Sequence, residues 1–167
     1  MSAKSNFSRL VKWFDDAIKE QNAVQVSTKR SLDVIRDSLK IIETGKNWET
    51  KKSRIEVVIK TARQLINTCP VKDTVKQMRE KLPEYEEKQI EIHEAALKAA
   101  VNGHVSKAAS CKTFKAKMNA FAKASEAITD AEENDSFVSD EIFSKMKRMV
   151  AMGIERAEKL KAENQLS

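Results

Sequence analysis

The chain has 167 residues, enough for one compact domain, and its three glycines and two prolines argue against turn-rich β architectures. Charged residues make up 34% and aromatic residues 5%, a composition typical of long helices. The net charge of +6 permits a nucleic acid or an anionic surface as partner without requiring either. Because the sequence has no apolar run long enough to span a bilayer and no ordinary secretory signal, we expect an intracellular protein, cytoplasmic or nuclear.

The first predicted helix covers about 6–44, a stretch without glycine or proline. An apolar stripe with a spacing of three and four residues runs over 7–18 and resumes over 32–42, as an amphipathic helix requires. The centre, about 22–28, is poor in strong helix formers. Two alternatives therefore stay open: the segment forms one long helix, or it breaks near this centre into two helices.

Proline and glycine are predicted to divide the middle of the chain. Pro70 ends the second helix, since proline removes a backbone hydrogen bond inside a helix. Pro83 begins the fourth helix, because proline suits the first turn, and a short third helix fits between the two prolines. Asn102–Gly103 is predicted to stop the fourth helix.

Two further helices complete the prediction. The fifth covers about Val105–Ile128, the sixth follows Ser139 as its cap, and an acidic loop of about 130–139 connects them. The predicted fold is all-α, a bundle of five to seven helices in a single domain, 1–167.

Residues that usually carry catalysis or bind metals occur singly in this sequence. The two histidines, His93 and His104, and the two cysteines, Cys69 and Cys111, lack the spacing of zinc or di-iron sites. Both histidines are interpreted as surface or helix-end residues. Three scattered glycines cannot form a phosphate-binding loop. We therefore expect no metal, no cofactor, no small-molecule substrate and no enzymatic activity.

The segment from Asp130 to Glu141 matches half of a calcium-binding loop. Its oxygen-bearing side chains have suitable spacing, but Asp135 occupies the position at which the motif requires glycine for its turn. We interpret the segment as a solvated acidic loop.

Basic residues form two helix faces, at 46–63 and 107–123, that could contact nucleic acid. Most of them are lysines, which attract phosphate but read bases poorly compared with arginine, and no aromatic residue is interleaved with them in the manner of a single-strand stacking platform. Such runs are usually solvated helix faces, and Lys117 is placed on one of them. The candidate contacts are Lys46, Lys51, Lys52, Arg54, Lys60, Arg63, Lys107, Lys112 and Lys115.

The length of the first helix is the strongest indication of function. If continuous, it would be about 60 Å long, whereas a domain of this size has a radius of gyration of only about 15 Å. Another chain would then be needed to cover part of the apolar stripe on this helix. The candidate partner surface comprises Trp13, Phe14, Leu32, Leu39 and Met152. We predict a non-enzymatic helical interaction or assembly module that forms a homo-oligomer or binds a protein partner, with a nucleic-acid-associated protein as the alternative.

Overall fold

The computed structural model describes the backbone of residues 3–167 and the side chains of residue 9 and residues 11–167. Five α-helices and no β-strand occur in that part of the chain, which confirms the all-α prediction. The helices are α1 (Ala3–Thr44), α2 (Trp48–Thr68), α3 (Lys72–Ser110), α4 (Phe114–Asn134) and α5 (Asp140–Ala162). Over the same residues, no helix combines the length and the apolar character that crossing a bilayer requires.

The structure divides into two compact units, Met1–Glu86 and Glu87–Ser167. Helix α3 contributes its first part to unit 1 and the rest to unit 2. The single domain over 1–167 stays a prediction, and the two units are described separately.

Helix α1 is continuous, so the first of the two alternatives is confirmed. Its 42 residues give a length of about 63 Å at a rise of about 1.5 Å per residue. The segment 22–28, which is poor in strong helix formers, is helical throughout. At its end Thr28 is half-buried, and the Thr28 Oγ1 lies 3.6 Å from Sγ of Cys69, the C-cap residue of α2. The end of α2 thus supports this part of α1.

In unit 1, α2 folds back against α1. The side chain of Asn47 caps α2 by accepting a hydrogen bond of 3.0 Å from the Thr50 N–H, and α2 ends before Pro70, as predicted. Gly45 is required in the connection, because a Cβ there would lie 2.6 Å from the Ile41 carbonyl oxygen. The buried residues of this unit are Ile35, Ser38, Ile42, Ile55, Val58, Ile59, Ala62, Leu65 and Met78.

The predicted helix boundaries at Pro83 and Asn102–Gly103 are wrong, because α3 runs through both. Pro83 leaves the carbonyl of Arg79 without its helical donor, but both residues are exposed, so water can satisfy that carbonyl. Gly103 does not have the positive φ that a helix-ending glycine adopts. Val101 and Ala108, both fully buried, hold this part of α3 in the core.

The fifth predicted helix, Val105–Ile128, is wrong as well, because a connection divides it. Helix α3 ends at Ser110, and Thr113 caps α4 by accepting a hydrogen bond of 3.2 Å from the Ala116 N–H. Hydroxyl side chains compete with helical hydrogen bonds, which explains a cap at this position.

The acidic connection is shorter than predicted. Helix α4 continues to Asn134, so only 135–139 lies between α4 and α5, in place of about 130–139. Asp130 is therefore helical, which is incompatible with the half-matching calcium loop that would begin there.

The core of unit 2 joins the second part of α3 to α4 and α5. Gly153 on α5 permits close packing on α4, since a Cβ there would lie 2.5 Å from Cε1 of Phe121. The buried members of this core are Leu97, Val101, Ala108, Ala120, Phe121, Ala124, Ile128, Val138, Ile142, Phe143, Met146, Val150 and Ala157.

Candidate interaction surface

An apolar stripe stays uncovered on the N-terminal part of α1. Val11, Phe14 and Ile18 follow a spacing of three and four residues and therefore lie on one face of the helix. Their exposed fractions are 43%, 52% and 54%. We call these three residues the α1 stripe. Exposed apolar side chains that adjoin one another mark binding surfaces more often than isolated ones do.

The α1 stripe is exposed because α2 is too short to reach it. The 21 residues of α2 span about 31 Å, roughly half the length of α1. The C-cap of α2 lies beside Thr28, and the buried side chains described for α1 all fall within 35–42. The amphipathic pattern of α1 thus continues beyond the part that α2 covers.

The two edges of the α1 stripe differ in chemistry. At about 100° per residue, Asp15 projects close to Val11, with Lys12 and Lys19 further round on the same side. The opposite edge carries Trp13, which is 63% exposed. Its ring meets that of Phe14 edge to face, with the centroids 5.0 Å apart. One edge is therefore charged, and the other is apolar.

The predicted partner residues are distributed over both units. Trp13 and Phe14 belong to the exposed part of α1, whereas Leu32 and Leu39 are half-buried in the part next to α2. Met152 is 53% exposed on α5, in unit 2.

The first basic group, 46–63, lies in unit 1, and several of its members have intramolecular partners. Lys52 Nζ lies 3.2 Å from a Glu49 carboxylate oxygen, and Arg63 pairs with Glu86 at 2.9 Å. Lys51 Nζ lies 4.7 Å from the centroid of the Trp48 ring.

The other members of this group, Lys46, Arg54 and Lys60, are exposed. Arg54 and Lys60 project roughly 120° apart around α2. The group therefore does not form one flat patch on that helix.

The second basic group lies in unit 2, around the connection between α3 and α4. Lys107, Lys112 and Lys115 are exposed there. Lys161, which sequence reasoning did not include, places Nζ 4.3 Å from the centroid of the Phe114 ring. One basic side chain thus lies over a half-buried aromatic ring, Phe114, which the sequence places between Lys112 and Lys115.

Lys117 is buried, so its placement on a solvated face is wrong. Its Nζ donates hydrogen bonds to the carbonyl oxygens of Ala108 and Ala109, at 3.0 and 3.3 Å. These carbonyls belong to the last turn of α3, where a positive charge is favourable. The sequence contains a signal for this burial: Lys117 lies four residues before Phe121 and seven before Ala124, so it projects from the same face of α4 as these two buried residues.

His93 is also not a surface residue, and its interpretation as one is wrong. Its Nδ1 lies 2.6 Å from Oδ2 of Asp135, and the two side chains are only 14% and 13% exposed. The Phe137 ring packs on the imidazole with centroids 4.7 Å apart, and Asp135 Oδ1 accepts the Phe137 N–H at 3.1 Å. The contacts of His93 with Asp135 and Phe137 hold the connection after α4 against α3.

The paired residues lie 42 positions apart, so no local sequence pattern signals the contact. Among the residues whose side chains are described, no group of three or more histidine, cysteine or acidic side chains could hold a metal ion.

No protein-family model matches this chain, and comparisons with curated proteins and with solved structures found no match either.

Proposed function

We propose that the chain is a non-enzymatic helical interaction or assembly module whose contact surface is the α1 stripe. The observation that carries the proposal is the exposure of Val11, Phe14 and Ile18 on a continuous helix that its own neighbour covers only in part. Together with Trp13 they expose roughly 400 Å², taking about 200 Å² for each side chain. Burying that area contributes about 10 kcal/mol before the cost of association, at about 25 cal/mol per Å².

The spacing of the stripe indicates how a partner engages it. Val11, Phe14 and Ile18 stand at positions i, i+3 and i+7, the anchor pattern of a helix that packs into an apolar groove or against another helix. The expected partner surface is therefore helical or grooved, with an apolar seam of a few turns.

The test compares the native mass of the wild-type chain and of two variants in an extract of cells that express it. Phe14→Glu places a charge within the stripe. Val26→Glu is the matched control, because Val26 is 50% exposed on the same helix but projects roughly 120° from Phe14. Circular dichroism on each purified variant checks that the helical content is unchanged.

The wild-type chain and Val26→Glu are expected to elute in complexes heavier than the 18.9 kDa chain, and Phe14→Glu at a lower mass. Equal elution of all three, or a Phe14→Glu chain that simply unfolds, would contradict the proposal.

Nucleic-acid binding is the second candidate, and the basic group of unit 2 favours it. Lys112 and Lys115 flank Phe114 in sequence, and Lys161 lies over its ring. Cations beside an aromatic ring provide phosphate attraction and a stacking surface for single strands.

Fluorescence polarisation with a labelled single-stranded oligonucleotide tests this candidate. Binding is expected to weaken steeply with salt and with the double substitution Lys112→Glu and Lys115→Glu. Binding that is absent, or that is indifferent to both changes, would remove it.

A further inference from the structure

We infer that a cleft in unit 1 binds a small organic phosphate, a molecule that carries a phosphate monoester on an apolar group. The cleft has a volume of about 530 Å³ and is lined by the end of α2, the first turns of α3 and the connection between them. Small-molecule sites in proteins usually have volumes of about 300–1,000 Å³. The cleft shares no residue with the α1 stripe, so this inference goes beyond the proposed function.

The α3 side of the cleft carries three cations. Lys72, Lys76 and Arg79 all line the cleft. At about 100° per residue they project within an arc of about 60° around α3, and they extend over about 10 Å of its axis. Within the described part of the chain, no acidic side chain forms an ion pair with any of the three. These cations are therefore available to an anion in the cleft.

The charge of the cleft favours a dianion. Glu80 is the acidic residue among those that line it, so three cations accompany one carboxylate and the lining has a net charge of +2. A phosphate monoester carries a charge of about −1.5 to −2 at pH 7 and has three acceptor oxygens, whereas a carboxylate carries a single charge. Arg79 provides the planar fork of donors that pairs with two phosphate oxygens, and the lysines add point charges.

The α2 side of the cleft is apolar. Ile66 and Pro70, together with the half-buried Cys69, come from the end of α2 and the connection that follows it. Val75 adds an apolar side chain from α3. An aromatic or aliphatic group beside the phosphate would cover these side chains, whereas a bare phosphate ion would leave them in contact with water. The lining therefore favours an organic phosphate over inorganic phosphate.

Protection of Cys69 from alkylation tests the inference on the purified full chain, with naphthyl phosphate as the probe. Cys69 lines the cleft, whereas Cys111, the other cysteine, lies in unit 2 and is the internal control. Peptide mass spectrometry follows the reaction of each cysteine with iodoacetamide. We expect the probe to halve the rate at Cys69 when its concentration equals Kd, on the order of 0.1–1 mM, and to leave the rate at Cys111 unchanged.

Two fragments of the probe separate its charged part from its apolar part. Inorganic phosphate lacks the ring that covers the apolar side of the cleft, and naphthol lacks the dianion that the cations attract. Each fragment is expected to protect Cys69 roughly tenfold more weakly than naphthyl phosphate does.

Charge reversals on α3 test the cations. Lys76→Glu and Arg79→Glu are each expected to raise the Kd for naphthyl phosphate roughly tenfold, with protection measured against the same variant without probe. Lys60→Glu is the matched control, because it makes the same change of charge at an exposed position of unit 1 that does not line the cleft. Its Kd should equal that of the wild-type chain. All three side chains are exposed, and circular dichroism checks that the helical content is unchanged.

Vesicles of phosphatidylcholine that contain phosphatidic acid distinguish two sources of the phosphate monoester. Sedimentation of the chain with these vesicles, lost in Arg79→Glu, would support the site and assign its phosphate to a lipid headgroup. A chain that stays in the supernatant, with Cys69 protected by naphthyl phosphate, would support the site and assign it to a free small molecule.

Three results would overturn the inference. The first is a rate at Cys69 that naphthyl phosphate does not change up to its solubility limit. The second is equal weakening by Arg79→Glu and Lys60→Glu, or equal protection of Cys69 and Cys111, because either would mean that the probe acts outside the cleft. The third is protection by naphthol as strong as that by naphthyl phosphate, which would leave the cations without a role.

Discussion

Replacing Gly153 by alanine tests the packing of α4 against α5 in unit 2. A Cβ at Gly153 would lie 2.5 Å from Cε1 and 2.7 Å from Cζ of Phe121, a ring that is only 5% exposed and has little space to move. Overpacking of this kind costs about 1–3 kcal/mol. Alanine is also favoured over glycine inside a helix by about 0.5–1 kcal/mol, which offsets part of that cost.

Gly103 provides a control that isolates the clash. It is also inside a helix of unit 2, but a Cβ there meets no atom within 4 Å. Gly103→Ala is therefore expected to stabilise the chain by about 0.5–1 kcal/mol. Because both variants gain the same helix propensity, the difference between them, about 1–3 kcal/mol, measures the contact with Phe121.

Urea unfolding followed by far-ultraviolet circular dichroism measures both free energies of unfolding. Equal stabilisation by the two substitutions would refute the close approach of Gly153 to Phe121. A Phe121→Leu background extends the test, because leucine lacks the ring atoms that cause the clash. In that background the difference between the two alanine variants is expected to shrink below about 1 kcal/mol.

Three further predictions concern other contacts. Lys117→Met is expected to lower the free energy of unfolding by about 1–3 kcal/mol, because the carbonyls of Ala108 and Ala109, the first of them buried, lose their donor. Lys115→Met, the exposed control, should stay within about 0.5 kcal/mol of wild type in the same urea titration, and equal effects would contradict the capping role. Alanine variants of His93 and Asp135, singly and together, should show a coupling energy of about 0.5–3 kcal/mol, whereas additive effects would mean the pair contributes nothing. Burial raises the pKa of Tyr85 above 10.0, so stability is expected to fall as the pH rises from 10.0 through the folded-state pKa, because the unfolded chain loses the proton first. Since Tyr85 is the only tyrosine, tyrosinate absorbance follows it alone, and a native midpoint no higher than the midpoint in urea would contradict the prediction.

The elements that sequence reasoning predicted well depend on local chemistry. The spacing of apolar residues predicted the helices, and the end of α2 follows from Pro70 and its missing N–H. The long α1 follows from a stretch without glycine or proline, although its weak centre left two alternatives.

The errors arose where tertiary packing overrides a local signal. Pro83 and Gly103 are normally helix-boundary residues, but α3 continues through both, and the segment around Gly103 is anchored by buried Val101 and Ala108. A proline on an exposed face costs less than one whose i−4 carbonyl is buried. Single-sequence propensity cannot distinguish these two environments.

The candidate surface could be predicted in part. The length of α1 predicts that part of its apolar stripe, which includes Phe14, is not covered by the rest of the chain. Which part is uncovered depends on where α2 ends against α1, at Thr28, and this is a tertiary contact. The pair of His93 and Asp135 depends likewise on α3 and the loop after α4 meeting in space.

The central claim is that the α1 stripe is a contact surface, and the native mass of Phe14→Glu beside Val26→Glu in cell extract tests it most directly. If the claim is right, Val26→Glu keeps the heavier complex of the wild-type chain, and Phe14→Glu loses it while remaining folded. If both variants keep the complex, or if the wild-type chain elutes at 18.9 kDa throughout, the α1 stripe is not a contact surface.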